Sequence, residues 1–335
     1  MVLDAAATSR ALALGARDAG PGLGHSDLLV RGPVGAWFSA EANLGLHTAE
    51  QKLEHHLENA WLQTRMLPLG LQARAGRFAS QIGYLNELHA HTDDFTERPL
   101  LYRGFMGGHW YGDGLRMNWT APTAMYLRLG VEKFASASTL NLKMGDDLGT
   151  QHSWQWGLSR VQQDKDTAVA VHDPAAAHAH DAVYRGRQMW VTDLVWKWAP
   201  DGNNRNEQVR LIWEHAQVRR IHPLADPGLQ HRASSLSAVW RFHPAWEVGV
   251  RSDGLRVQAP ESSGSDVLFS SGLLQERALM LAYKPSHQQT LRLQWTQQAT
   301  TGLNDEGEAI FAQHARRSLQ LQYVIGWGAH GAHSF

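Results

Sequence analysis

The chain has 335 residues, of which 43% are hydrophobic and 19% charged, with 31 basic against 32 acidic side chains and a formal net charge of -1. Such a length and composition suit one large domain, and the even charge balance gives no overall field to attract nucleic acid. The absence of cysteine excludes disulfides, thiolate metal sites and a cysteine nucleophile, and fits an exported chain.

Residues 1-24 (MVLDAAATSRALALGARDAGPGLG) have no cationic start, and their apolar run, Ala11 to Ala16, is short. They do not read as a signal peptide and are expected to be a disordered or truncated N-terminal segment. No stretch reaches the roughly 18 consecutive apolar residues of a spanning helix, so membrane crossing would need strands. The 14 tryptophans exceed the 9 phenylalanines, and indole rings favour membrane–water interfaces.

Along the chain the dominant period is two. The stretch 49-64 is compatible with a helix, and a strand follows at Leu71–Phe78. Leu115, Met117 and Trp119 oppose Arg116 and Asn118; Met125, Leu127, Leu129 and Val131 oppose Tyr126, Arg128 and Glu132. Trp154, Trp156 and Leu158 alternate with Ser153, Gln155 and Gly157, and Leu194, Trp196 and Trp198 with Asp193, Val195 and Lys197. The pattern returns at Leu236–Phe242, Trp246–Arg251 and Leu291–Thr296. It ends with Leu319, Leu321, Tyr323, Ile325 and Trp327 set against Gln320 and Gln322.

A soluble sandwich also alternates, but segments near the ~9–11 residues of a tilted membrane strand favour a barrel. Short turns near Pro122, Pro244 and Pro285 contrast with long polar loops at 163-187, 221-232, 254-273 and 299-316. The expected fold is all-β: a transmembrane antiparallel β-barrel of about 14–16 strands over 25-335, with short periplasmic turns, long outer loops and room for an aqueous lumen. Phe335 resembles the terminal aromatic recognised by outer-membrane assembly machinery.

The densest group of chemistry-bearing residues lies at 83-116, and 83-112 is expected to fold inward and constrict the lumen. Imidazole and carboxylate donors make Glu87, His89, His91, Asp94 and His109, with Asp93 beside them, candidate Zn²⁺ ligands. Alternatively these charges pair with Arg98 and Arg103. His172, Asp173, His178, His180 and Asp181 form a second histidine group in the loop 163-187. Expected pore-lining residues are Arg74, Arg116, Arg128, Glu132, Arg210, Arg241, Arg251 and Arg292. Opposed charges order water in a pore, and surplus arginine favours anions. There is no nucleophile elbow, phosphate loop or zinc-protease motif, and Ser80 or Ser153 beside His152 has no acid in view, so an enzyme is not expected.

The segments RAGRFASQIGYLNELHAHTDDF, RPLLYRGFMGGHW, DGLRMNWTAPTAMYLRLGVEKF, VWKWAPDGNNR and LQLQYVIGWGAHGAHSF resemble an outer-membrane family described as zinc-regulated, TonB-dependent-receptor-like or porin-like. The resemblance implies a Gram-negative outer-membrane β-barrel connected with uptake of a metal such as zinc. It directs attention to Asn86, Glu87, His89, His91 and Asp94, with Asp93 where an aromatic is expected. The expected function is a porin-like channel for small solutes or ions, linked to metal uptake. The alternatives are a TonB-dependent metal receptor and a plugged structural or adhesin-like barrel. Lipid, the permeant solute or metal ion, assembly machinery and further copies of the chain are the expected partners.

Overall fold

The computed structural model describes residues 1-49, 52-164, 183-263, 266-304, 307-311 and 316-328. The strands are β1 (Val2–Thr8), β2 (Gly20–Leu23), β3 (Ser26–Val34), β4 (Phe38–Ala49), β5 (Lys52–Thr64), β6 (Leu71–Ala79), β7 (Tyr111–Thr120), β8 (Tyr126–Phe134) and β9 (Ala137–Leu148). They continue with β10 (His152–Gln163), β11 (Gln188–Trp198), β12 (Gln208–Arg219), β13 (Gln230–His243), β14 (Trp246–Ser263), β15 (Asp266–Ser286), β16 (Gln289–Thr301) and β17 (Arg317–Gly326). One short helix, α1 (Leu100–Met106), stands between β6 and β7.

Every strand pairs antiparallel with its chain neighbour from β3 onward, and β1 closes the circle against β17, with Val2 opposite Gly326 and Thr8 opposite Gln320. On its other edge β1 meets β2 and then β3, through Thr8 opposite Gly20 and Val2 opposite Asp27. β2 and β3 therefore act as one interrupted strand, and the molecule is a closed 16-strand antiparallel barrel. Closure leaves the sheet without a terminal strand, as a strand structure in lipid requires.

The pleat sorts the side chains. On β15, Leu279 and Leu281 are 49% and 42% exposed, whereas Ala278 and Met280, which alternate with them, are 5% and 1% exposed. Leu319 and Leu321 likewise face out beside the buried Gln320 and Gln322. Polar residues inside and leucines outside reverse the pattern of a soluble sandwich and match a lipid-facing band. The aromatic girdle lies chiefly at the short-turn end, where Trp119, Tyr126, Trp240, Phe242, Trp246, Tyr283 and Trp327 face outward. The Trp246 and Tyr283 rings meet there at 4.7 Å between centroids.

Three expectations change. Residues 2-8 and 20-23 are strands that close the barrel rather than a disordered segment: Asp4 pairs with Arg17 at 2.7 Å and accepts from Gln322 at 2.8 Å, and Thr8 is buried. The stretch 49-64 contains no helix among its described residues. Paired with β4, it holds a bulge at Glu58, since Asn43 faces Asn59 but Leu44 faces Leu57. The bulge lets Glu58 and Asn59 both turn inward and sets the parity of the strand above it. Finally, much of 254-273 is strand: β14 and β15 are 18 and 21 residues long and pair through Pro260 opposite Phe269. The terminal Phe335 and the histidines at 172-180 lie outside the described residues.

Gly76 marks a close approach in the wall. Its φ is +122°, and a Cβ there would lie 2.2 Å from the Ala60 carbonyl oxygen. An L side chain at this position would both strain the backbone and part β5 from β6.

Candidate functional site: the inserted segment and the lumen wall

The chain leaves the wall after β6, passes through the lumen as residues 80-110, and rejoins it at β7. Asn86 joins the two ends of this insertion: its amide donates to the Ser80 carbonyl at 2.8 Å and its side-chain oxygen accepts from Trp110 N–H at 2.8 Å. Glu132 on β8 receives the Gln81 N–H at 3.1 Å, the Ser80 hydroxyl and Arg116. Glu214 on β12 receives the Tyr84 N–H at 2.9 Å and the Tyr102 hydroxyl at 2.5 Å.

Further across, Thr96 N–H donates to Gln294 at 2.8 Å, Gln320 donates to Glu97 at 3.1 Å, and Arg292 donates to the Asp93 carbonyl at 2.5 Å. Arg103 of α1 and Arg251 of β14 converge on Glu276 of β15 at 2.5 and 2.6 Å. The insertion thus touches opposite sides of the barrel through buried polar contacts, which fix its place more tightly than apolar packing alone.

Its outer half is apolar. Pro99 precedes α1, Gly107 ends it in the left-handed conformation, and all seven helical residues are buried. Leu100, Leu101, Tyr102, Phe105 and Met106 pack in one cluster with wall residues including Val191, Ala216, Val218, Leu255 and Leu274. Toward the short-turn end the lumen opens. A cavity of about 1010 Å³ reaches from the turns around Asn204, Pro244 and Pro285 up to His91, Asp93 and Asp94. Lys197, Arg205, Arg210, Arg241, Lys284 and Arg292 line it against Asp93 and Asp94. A second cavity of about 390 Å³ is bounded by Tyr84, Glu87, Arg128, Lys143, Asp146 and Asp147.

The arginines expected to line the pore all belong to the inner wall. Arg116 and Arg128 hold Glu87 at 3.0 and 3.3 Å, Arg210 pairs with Asp94, Arg241 with Glu247, and Arg251 with Asp253 at 2.9 Å and with Glu276. Arg74 donates to Gln63 at 2.8 Å and lies 4.1 Å from the Trp61 ring centre. Burial opposes ionisation of Glu87, but Arg116 and Arg128 outweigh it and hold the carboxyl down at about 2. Burial also pushes the Tyr84 phenol up to about 12.

The expected ligand set separates. Glu87 and Asp94 are engaged by arginines, and Asp93 pairs with Arg98 at 2.8 Å, so the geometry assigns these three to charge pairing instead. His89 and His91 meet Asp27 of β3, with His91 Nδ1 at 2.8 Å and His89 Nδ1 at 3.7 Å from the same carboxylate oxygen. His109 stacks on His25 at 5.3 Å between ring centres. Burial, with Arg98 and His25 nearby, pushes the His109 imidazole well below its ordinary range.

Beside Asp27, Glu58 lies 2.6 Å from His25 Nε2 and 2.9 Å from His56 Nε2. Among the described residues, His25–His56–Glu58 and Asp27–His89–His91 are the groups whose donor atoms all lie within 4.8 Å of one another. Sequence reasoning missed His25, Asp27, His56 and Glu58. The run Glu54-His55-His56 was a signal, but the bulge that aims His56 and Glu58 inward is visible only in the pairing.

No protein-family model matches the chain. A curated sequence relative, an uncharacterized protein of Aquifex aeolicus strain VF5, is 24% identical over 93% of this chain and 70% of its own length. Among solved structures, the loop L8 deletion mutant of OmpT, an outer membrane protein of Vibrio cholerae, is similar with a TM-score of 0.61, 11% identity and 97% of each chain covered. Pseudomonas putida OprB gives 0.61 with 9% identity, covering 97% of this chain and 92% of its own. The anion-selective porin from Comamonas acidovorans gives 0.58 with 11% identity and 97% of each chain covered. The fold is therefore the closed antiparallel β-barrel that these outer-membrane proteins share. The expected likeness to a TonB-dependent receptor is not supported, and the 16 strands fall short of the 22 typical of such transporters.

Proposed function

We propose that this chain is a porin-like channel of a Gram-negative outer membrane that passes small anionic solutes, with the inserted segment 80-110 setting what passes. The carrying observation is the large cavity at the short-turn end, lined by six cationic side chains and two carboxylates, with a third carboxylate, Glu247, behind Arg241 and Lys284. A concave, low-dielectric vestibule with that imbalance concentrates small anions at its mouth. Short turns lie on the periplasmic side of such barrels, so this vestibule faces the periplasm. Surrounding lipid, insertion by outer-membrane assembly machinery and association with further copies belong to the same reading. No catalytic step is assigned.

The test is reconstitution of the folded barrel in a planar lipid bilayer under a salt gradient. Discrete conductance steps with a reversal potential on the anion side support the reading; cation selectivity contradicts it. The apolar cluster around α1 favours a second reading, a plugged structural barrel. Absence of conductance at any voltage, with the barrel folded, would select it. Metal binding has a different footing, the histidine and carboxylate clusters where the wall meets the insertion.

A further inference from the structure

The histidines meet at a place that neither the channel reading nor the charge network explains. Seen along the barrel, β3, β4, β5 and the inserted segment each contribute to one patch. His25 lies just before β3 and Asp27 within it; His56 and Glu58 lie at the β5 bulge; His89 and His91 come from the insertion. These residues are far apart in sequence and inward-facing, so the barrel has gathered imidazoles and carboxylates into its interior. Unpartnered ionisable groups there would be costly.

Several observations point to a cation between them. Within each triad one carboxylate oxygen stands 2.6–3.7 Å from two imidazole nitrogens. Bonds of about 2.0–2.1 Å to a tetrahedral ion imply donor separations of about 3.3 Å, so small side-chain shifts suffice. Asn43 donates to both carboxylates, to Asp27 at 3.0 Å and to Glu58 at 2.8 Å, and so fixes the free oxygens of the two triads from behind. Such outer partners hold ligating carboxylates in position.

Gly45 supplies room. A Cβ there would lie 2.7 Å from Glu58 Oε1 and 2.9 Å from His56 Cε1, filling the space in front of the first triad. His109 stands beside that triad, stacked on His25, and its buried Nε2 has no hydrogen-bond partner among the described residues.

We propose that the two triads bind two divalent ions of the zinc class, one held by His25, His56 and Glu58 and one by Asp27, His89 and His91. The donor set decides the class: imidazole nitrogen with a single carboxylate suits Zn²⁺, Ni²⁺ or Cu²⁺, whereas Ca²⁺ and Mg²⁺ take oxygen shells. The second ion bridges the wall and the insertion, because Asp27 belongs to β3 and both histidines to the lumen segment. Binding there latches the segment to the barrel.

The experiment uses untagged full-length barrel, folded in detergent, stripped with chelator, equilibrated with Zn²⁺ and freed of unbound metal before the ions are counted by mass spectrometry. Two ions per chain are expected. The pair His89→Ala, His91→Ala should lose about one of them, and the pair His25→Ala, His56→Ala the other. Heat-modified gel migration shows that each variant still folds. Counts unchanged in both variants, or wild-type protein that retains no zinc, overturn the proposal.

A second measurement needs no variant. Co²⁺ bound to the wild-type barrel should give the intense visible bands of four- or five-coordinate nitrogen–oxygen ligation and resist excess Ca²⁺. A weak six-coordinate spectrum erased by Ca²⁺ overturns it. Neither readout depends on conductance, so failure here leaves the channel reading standing.

Discussion

Glu276→Ala tests how the insertion is held. Glu276 is buried on β15 and accepts from Arg103 of the insertion at 2.5 Å, from Arg251 of the wall at 2.6 Å and from Gln298 at 2.7 Å. The side chains of both arginines are 3% exposed or less, so removing the carboxylate leaves two buried guanidinium groups without it. Breaking a buried pair from one side costs about 3–5 kcal/mol. Arg251 keeps a second carboxylate, Asp253 at 2.9 Å, whereas Arg103 keeps, among the described residues, only the carbonyls of Arg98 at 2.7 Å and Leu14 at 3.2 Å, so the larger share of the loss falls on Arg103. At about 1.4 kcal/mol per tenfold, the ratio of docked to displaced segment falls by roughly two to four orders of magnitude. In planar bilayers the variant should show larger or more frequent conductance steps than wild type, and trypsin should cut the insertion sooner. Glu276→Gln, which keeps a neutral acceptor, should lie between them. A folded Glu276→Ala barrel with wild-type conductance and wild-type proteolysis would refute the reasoning.

Four further outcomes follow from the same geometry. Replacing Lys197 and Arg205 by glutamate reverses two charges in the vestibule; with ~1 kcal/mol between unit charges at about 4 Å in water, the anion-to-cation permeability ratio should fall several-fold, read from the reversal potential. Leu279→Arg places a cation on the lipid face, four residues along β15 from the girdle residue Tyr283, and should cost about 2–4 kcal/mol, measured by urea unfolding from vesicles. Gly76→Ala forces a side chain onto a φ of +122° and against the Ala60 carbonyl, and should lower stability by at least about 1–3 kcal/mol in the same assay.

Glu87 supplies a pH test. Its carboxyl is held at about 2 against an ordinary 4.5, so its stabilising contribution is complete above 4.5 and is lost as pH falls toward 2. The stability gap between wild type and Glu87→Gln should therefore hold steady above pH 4.5 and close below it. A gap that closed between pH 7 and 5 would assign the effect to another group.

Much of the wall was legible because its period is two and one face is lipid: Leu291 and Leu293, and Leu319 and Leu321, repeat without interruption, and a one-residue slip would bury every one of them. The arginines of the inner wall could be read from the same alternation. What failed was whatever departs from strict alternation. Glu58 is the extra residue of a bulge, so the parity read from Trp61 and Gln63 gives the wrong face for His56. Residues 2-8 are short and alanine-rich, and their strand identity comes from closing against β17 rather than from their own pattern. Pro260 and the polar stretch around it read as a loop, although long hairpins can carry them. The insertion was recognisable by composition, but its partners were not: His91 meets Asp27 and Arg103 meets Glu276 across separations in sequence that only the closed barrel brings together.

The central claim, a channel whose vestibule favours anions, is tested most directly by the reversal potential of the wild-type barrel in a bilayer separating two KCl concentrations. The account predicts discrete steps and a reversal potential displaced toward the chloride equilibrium value. A displacement toward the potassium value, or a folded barrel that never conducts, would contradict it.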